Sequence, residues 1–468
     1  MTPPTQVPYL HGQFSRAGGW LPPDPKILIG WARKLVAEAD EKRRWSGHLR
    51  SNLAPSIQAF DAVVQSSAKL RMLAAAMLDE VPNKEPYLTD PIGNKQIRDY
   101  DCLLHAFQCI VTTKVPEWSM HEYDVGLIGF PFNAILDWPM ATPSGYAFFL
   151  DQQVNEKLKD ILNAWSDDVL TKEVSLKVIT EKPGGWLSPQ ALKVLEDTAN
   201  LEGETLKFAQ IFNCDPSKDH WGFQSWDDFF VRTFNSIDSR RPVYQPNNAK
   251  WIVSSCGSKP FALQTNVKEH DTFWLKGQPY SVADMIPSKP EYVSKFVGGT
   301  VYQAFLSATS YHRWHSPVKG QVCYAKVIDG TYFSEPTITG FSSQDGPDKA
   351  GPDQAQGYIS HVATRAVYIF KTDDPNIGFV GAVYVGMADV STCEINEKFL
   401  KNLPQEVEKG DEIGMFHFGG STHCLLFEKG VKLAWVDGAH PGAATRNLPV
   451  RSALAYPCDE KRGETVVS

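Results

Sequence analysis

The chain has no run of about 18 apolar residues, so no segment reads as a transmembrane helix. Its first stretch, MTPPTQVPYLHGQFSRAGGWLPPDPK, lacks an apolar core and an excess of arginine, and reads as neither a secretory signal nor a transit peptide. Positive charge is not in excess either: 46 Lys and Arg face 54 Asp and Glu, a net charge of −8. That balance excludes a general nucleic-acid binder and disfavours docking on anionic membranes. The eight cysteines, Cys102, Cys109, Cys214, Cys256, Cys323, Cys393, Cys424 and Cys458, contain no CxxC pair. The expectation is a set of reduced, mostly buried thiols in a cytoplasmic protein. No repeat period is evident.

What is present divides the 468 residues into two textures. Up to about residue 245 the apolar residues recur at helical spacing. In SIQAFDAVVQSSAKLRMLAAAMLDEVP, residues Phe60, Val63, Val64, Leu70, Leu73, Met77 and Val81 follow a period near 3.6, and Pro82 ends the pattern. LLHAFQCIV (103–111) and VNEKLKDILNAW (154–165) read as further helices, and Ser188-Pro189 as an N-cap with proline at the first helical position. Beyond residue 245 come short segments rich in β-branched and aromatic residues: KWIVSSC, GTVYQAFL, GQVCYAKVI, RAVYIFKT, IGFVGAVYVGM, HCLLFEKG and VKLAWV. The expected class is α+β, with a helical region over 1–245 and a β-rich catalytic domain over 246–468. FSSQDGPDKAGPDQAQG (341–357) is polar and rich in Gly and Pro, and reads as a surface loop between strands.

Two segments carry chemistry. In FHFGGSTHCLLFEKG (416–430), two glycines meet Ser421 just before an apolar strand. A serine hydroxyl can attack the carbonyl of the residue before it, and glycine at 420 leaves that carbonyl unhindered. The ester so formed can eliminate to dehydroalanine and then to a pyruvoyl group. A plain Gly-Gly-Ser hairpin fits the tripeptide equally well. SYHRWHSPVKG (310–320) sets His312 and His315 two residues apart. A neutral imidazole there can accept the serine proton, and a second can deliver a proton to substrate carbon. Surface histidines or a metal pair are the alternatives. A metal needs further ligands, and none clusters nearby in sequence, although His361, His417 and His423 could supply one in space; no metal site is expected.

Taken together, YHRWHSPVKG and FGGSTHCLLFEKG resemble the phosphatidylserine decarboxylase family, whose members cleave themselves before the serine of a Gly-Ser-Thr motif. SWDDFFVRTFNSIDSRRPV (225–243) and FWLKGQPYSVADMI (273–286) are similar to two further segments of that family, in the same order. WGFQSWDDFF, GTYF, VGMADVSTCE and GMFHFGGS extend the resemblance to its soluble fungal branch, which includes the tryptophan decarboxylase of psilocybin biosynthesis.

The resemblance implies that Ser421 becomes the pyruvoyl cofactor and that Gly420 ends the long chain. It makes His315 the base for self-cleavage, and gives His312 a part in decarboxylation or reprotonation. The family carries an aspartate that orients the cleavage histidine, and here Cys256 of VSSCG stands in its place. A thiol is a poor substitute for a carboxylate, so Glu394 is expected to orient His315, with Asp389 next. The implied substrate is a free, aromatic L-amino acid, with no nucleic-acid or integral membrane partner. A homodimer is left open. The rival readings are a true phosphatidylserine decarboxylase, an uncleaved binding protein and a pyridoxal-phosphate enzyme. The last commonly sets its lysine after a histidine, and the chain contains no His-Lys pair.

Overall fold

The computed structural model describes residues 21–22, 24–45, 50–82, 96–121, 124–271, 280–287, 289–337, 355–387, 389–390, 392–442 and 446–458. Helices occupy most of the chain up to Arg240, and strands dominate from Ile252 onward. The periodic stretch ahead of Pro82 is two helices, Pro55–Ser66 and Ala68–Asp79. Ser67 divides them because its backbone is extended and its Oγ accepts from the Leu70 N–H at 3.3 Å, an N-cap. Ser188 caps the Pro189–Ala199 helix in the same way. The helices Tyr100–Thr113 and Gln152–Trp165 lie where periodicity places them. A hairpin, Glu117–His121 with Asp124–Ile128, interrupts the helical half and was not anticipated.

The β-rich half centres on a seven-stranded antiparallel sheet. Its order is Gln405–Val407, Gly320–Ile328, Arg365–Thr372, Phe379–Gly386, Ser421–Phe427, Thr300–Leu306 and Lys259–Thr265. The Ser421–Phe427 strand lies inside this sheet and all seven of its residues are buried. A strand covered on both faces reads as a continuous apolar run rather than an alternation, which is why Cys424-Leu425-Leu426-Phe427 shows no period.

A second sheet, Thr392–Ile395, Glu412–His417 and Arg313–His315, packs on one face. There Trp314 stacks on Tyr384 with ring centroids 4.2 Å apart. Tyr280, Met285 and the Gln356–Val362 helix cover the other face. Gln356 and Gly357, assigned to a surface loop from sequence, are the buried start of that helix. Residues 341–354 of that stretch, and 273–279 of the FWLKGQPYSVADMI segment, lie outside the described residues.

One apolar core joins the two halves. Trp165, Trp226 and Phe230 of the helical half share a cluster with Tyr311, Tyr332, Phe333 and Phe418 of the β-rich half. Phe418 sits edge-on to both Trp165 and Trp226, with centroids 4.7 Å away in each case. The helical half therefore grips the chain two residues before Gly420.

Candidate active site

The turn ahead of Ser421 is built on glycine for steric reasons. Gly419 has φ +130°, in the region that favours glycine. A Cβ on Gly419 would lie 2.4 Å from Val390 Cγ2 and 2.7 Å from the Val390 backbone. The Gly420 carbonyl accepts a hydrogen bond from the Met387 N–H at 2.8 Å. This bond continues the ladder in which Ser421 pairs with Gly386. Ser421 is fully buried, and its Oγ makes no hydrogen bond. An unmade hydrogen bond on a buried hydroxyl costs about 1–3 kcal/mol. The site thus sets a buried hydroxyl without a hydrogen bond beside a carbonyl already polarised by a donor.

His312 and His315 are both buried, on opposite sides of Trp314 in sequence. His315 Nδ1 donates to the Gly410 carbonyl at 2.8 Å, which leaves Nε2 to accept from the Tyr311 hydroxyl at 3.3 Å. Burial lowers the His315 pKa to about 4, so the ring is neutral near pH 7. His312 stacks on Phe230, with centroids 4.2 Å apart. Burial pushes its pKa well below the ordinary histidine value, and the nearby Arg232 charge adds to this. Arg232 explains the FFVRTF segment. Its guanidinium lies 4.6 Å from the centroid of the Phe212 ring and donates to the Thr309 and Ser310 carbonyls at 2.9 and 3.3 Å. It thereby fixes the turn that leads into His312. Neither histidine hydrogen-bonds Ser421 Oγ; catalytic hydrogen bonds often tighten only as reaction begins.

The carboxylates are not where the sequence reading set them. Glu394 does not orient His315. It lies opposite Met415, which in turn lies opposite Arg313, so two strand spacings (about 10 Å) separate it from the histidine strand. Its half-exposed carboxylate instead accepts from His417 Nε2 at 2.6 Å, and His417 Nδ1 donates to Asp227 at 3.0 Å. Held between two acids, His417 is raised to about 9 despite its burial. Asp389 is also engaged elsewhere: its two oxygens accept the Phe132 and Asn133 N–H groups at 2.9 and 3.0 Å. Burial nonetheless raises its pKa to about 8. Cys256 is fully buried, which pushes its thiol well above the ordinary value, so it supplies no negative charge. A backbone carbonyl, that of Gly410, holds the tautomer of His315.

With the serine turn and the paired histidines in place, relatives can be compared. The sequence pattern of the phosphatidylserine decarboxylase family matches residues 226–445, and a second pattern of the same description matches 54–195. The chain belongs to the phosphatidylserine decarboxylase family. It is 37% identical over 323 residues to decarboxylase iboD of Amanita muscaria, covering 67% of this chain and 89% of the relative. It is 29% identical over 444 residues to the L-tryptophan decarboxylase of Psilocybe cubensis, covering 93% and 94%. To the L-tryptophan decarboxylase of Psilocybe cyanescens it is 32% identical over 329 residues, covering 69% and 73%. As a member of the family the chain is a carboxy-lyase, and decarboxylases of this family are in general pyruvoyl-dependent.

The residues present fit a pyruvoyl group formed from position 421. The precursor hydroxyl is buried and uncommitted, and the cradle beside it admits only glycine at 419. Sequence reading gave no place to three features of this site, naming His423 and His417 only as conceivable metal ligands. The Met387 N–H carries no sequence signal, because a backbone donor is independent of side chain. His423, two residues after Ser421 on the same strand, is fully buried, and neither ring nitrogen makes a hydrogen bond. Its position in GGSTH could have drawn attention by two-residue alternation. The Asp227–His417–Glu394 chain needed the fold. Among the described residues, no helix is long and apolar enough to cross a membrane, and no group of three or more His, Cys, Asp or Glu side chains converges on a metal.

Proposed function

We propose that this chain cleaves itself between Gly420 and Ser421 and then decarboxylates a free L-amino acid with an aromatic, tryptophan-like side chain. The observation that carries the reading is the buried, uncommitted Ser421 hydroxyl beside a Gly420 carbonyl already held by the Met387 N–H. Ser421 Oγ adds to the Gly420 carbonyl carbon, and the peptide C–N bond opens to leave an ester. Loss of the Ser421 Cα proton expels the Gly420 carboxylate from Cβ, and water then releases ammonia to leave a ketone. That ketone supplies an electrophile for the substrate amine and a sink for the electrons left by CO₂. His315, neutral with Nδ1 committed to Gly410, presents Nε2 as the proton acceptor for cleavage. His312, neutral and stacked on Phe230, serves the later proton transfer to carbon.

The substrate class rests on the two tryptophan decarboxylases, one of which aligns with 93% of this chain. The five buried, unpaired cysteines, Cys102, Cys109, Cys256, Cys393 and Cys424, favour a cytoplasmic setting. The test is CO₂ and amine release from L-tryptophan, other free L-amino acids and phosphatidylserine vesicles in parallel. Turnover of an aromatic amino acid is expected. Turnover of the lipid alone would replace this reading with that of a phosphatidylserine decarboxylase.

A further inference from the structure

The segment after the Phe379–Gly386 strand meets the serine turn at two points and the helical half at a third. Met387 donates its N–H to the Gly420 carbonyl at 2.8 Å. Val390 fills the space where a side chain on Gly419 would go. Between them, Asp389 has φ +61°, a left-handed conformation that Asp and Asn tolerate better than most residues. Its carboxyl group caps the Pro131–Met140 helix, its two oxygens accepting from the Phe132 and Asn133 N–H groups at 2.9 and 3.0 Å. That helix has no cap of its own, because Phe130 precedes it and offers no acceptor side chain. The helix is a firm anchor: Phe132, Asn133 and Leu136 are fully buried within it. Phe132 packs edge-on to Trp165, which in turn meets Phe418.

We infer that Asp389 is a positioning residue for self-cleavage: through the Pro131–Met140 helix it fixes the Met387–Val390 segment, so that the Met387 N–H faces the oxyanion formed on Gly420. The inference rests on the self-cleavage proposed above. When Ser421 Oγ bonds to the Gly420 carbonyl carbon, the carbonyl electron pair moves onto oxygen, facing the Met387 N–H. Collapse of this adduct breaks the Gly420 C–Ser421 N bond, and the serine proton ends on that nitrogen. A donor aimed at such an oxyanion typically contributes about 10²–10³ in rate, provided it is held in place beforehand. The helical half is then part of the cleavage machinery.

The test follows the appearance of the short chain from freshly synthesised full-length precursor. Asp389→Asn keeps side-chain size and tolerance of left-handed backbone, but offers one acceptor oxygen to two N–H donors. Its cleavage is expected to slow at least about tenfold, while sites that do cleave turn over substrate like wild type. Thr142→Ala is the control. It removes the cap that Thr142 Oγ1 gives the neighbouring Pro143–Phe149 helix at the Gly145 N–H, 2.9 Å away, and should cleave normally. Folding is scored separately in the uncleavable Ser421→Ala background. Wild-type cleavage by Asp389→Asn, equal slowing in Thr142→Ala, or an Asp389→Asn chain that does not fold would each overturn the positioning role. An uncleaved wild-type chain would instead overturn the self-cleavage reading itself.

Discussion

At the residue scale, self-cleavage and decarboxylation need two proton transfers, and the structure gives the two histidines different partners. His315 is held by Gly410 and Tyr311, whereas His312 lies against Phe230. His315→Ala is therefore expected to stop or greatly slow cleavage. His312→Ala should cleave, then lose about 10²–10⁴ in turnover. Chain separation on a denaturing gel, followed by an amine-release assay, distinguishes them, and normal behaviour of both variants would make the segment structural. Glu394→Gln should cleave at the wild-type rate, because its partner is His417. Gly419→Ala should block cleavage, since its Cβ meets Val390 backbone that has no rotamer to move. The serine turn and the histidine pair could be singled out because a Gly-Gly-Ser turn and two closely spaced histidines show in residue type alone. The partner of His315 was not legible, because it is the Gly410 carbonyl and backbone atoms leave no mark in a sequence.

At the scale of elements, all seven β-rich segments picked out by composition contain strands. Glu412–His417 and Arg313–His315 were not anticipated as strands, because glycine or charged and aromatic residues break their alternation. Their pairing sends Glu394 toward His417 rather than His315, which is why a reading one strand at a time chose the wrong partner. The same pairing builds a clamp from Asp227 of the Trp226–Phe230 helix, through His417, to Glu394. The folded pKa of His417, about 9, lies above its ordinary value of 6.5. Its charge therefore stabilises the fold fully below about pH 6.5, and that contribution is lost as pH rises through about 9. His417→Gln should melt below wild type at pH 6.5, with the gap closing by about pH 10. A gap that stays constant across this range would mean that the clamp acts through shape alone.

Across the whole molecule, burial keeps several histidines neutral. His315 is lowered to about 4, His361 and His423 to about 3, and His312 well below its ordinary value. The unfolded chain binds protons at these sites below about pH 6.5, whereas the folded chain does not until about pH 4 or lower. Stability should therefore fall as pH drops from 6.5 to 4. Asp389, which binds its proton more tightly when folded, offsets one proton of that slope. In the Ser421→Ala background, His423→Gln should flatten the slope by about 1.4 kcal/mol per pH unit. An unchanged slope would show that His423 is not held neutral. The same burial that sets these values brings the two halves together around Phe418 and the turn beside it. Intact-mass analysis of the purified full-length protein tests the central claim most directly. The account predicts two chains that meet at Gly420 and Ser421, the shorter one lighter by one ammonia than a chain beginning with serine. A single uncleaved chain that still releases CO₂ from an amino acid would contradict it.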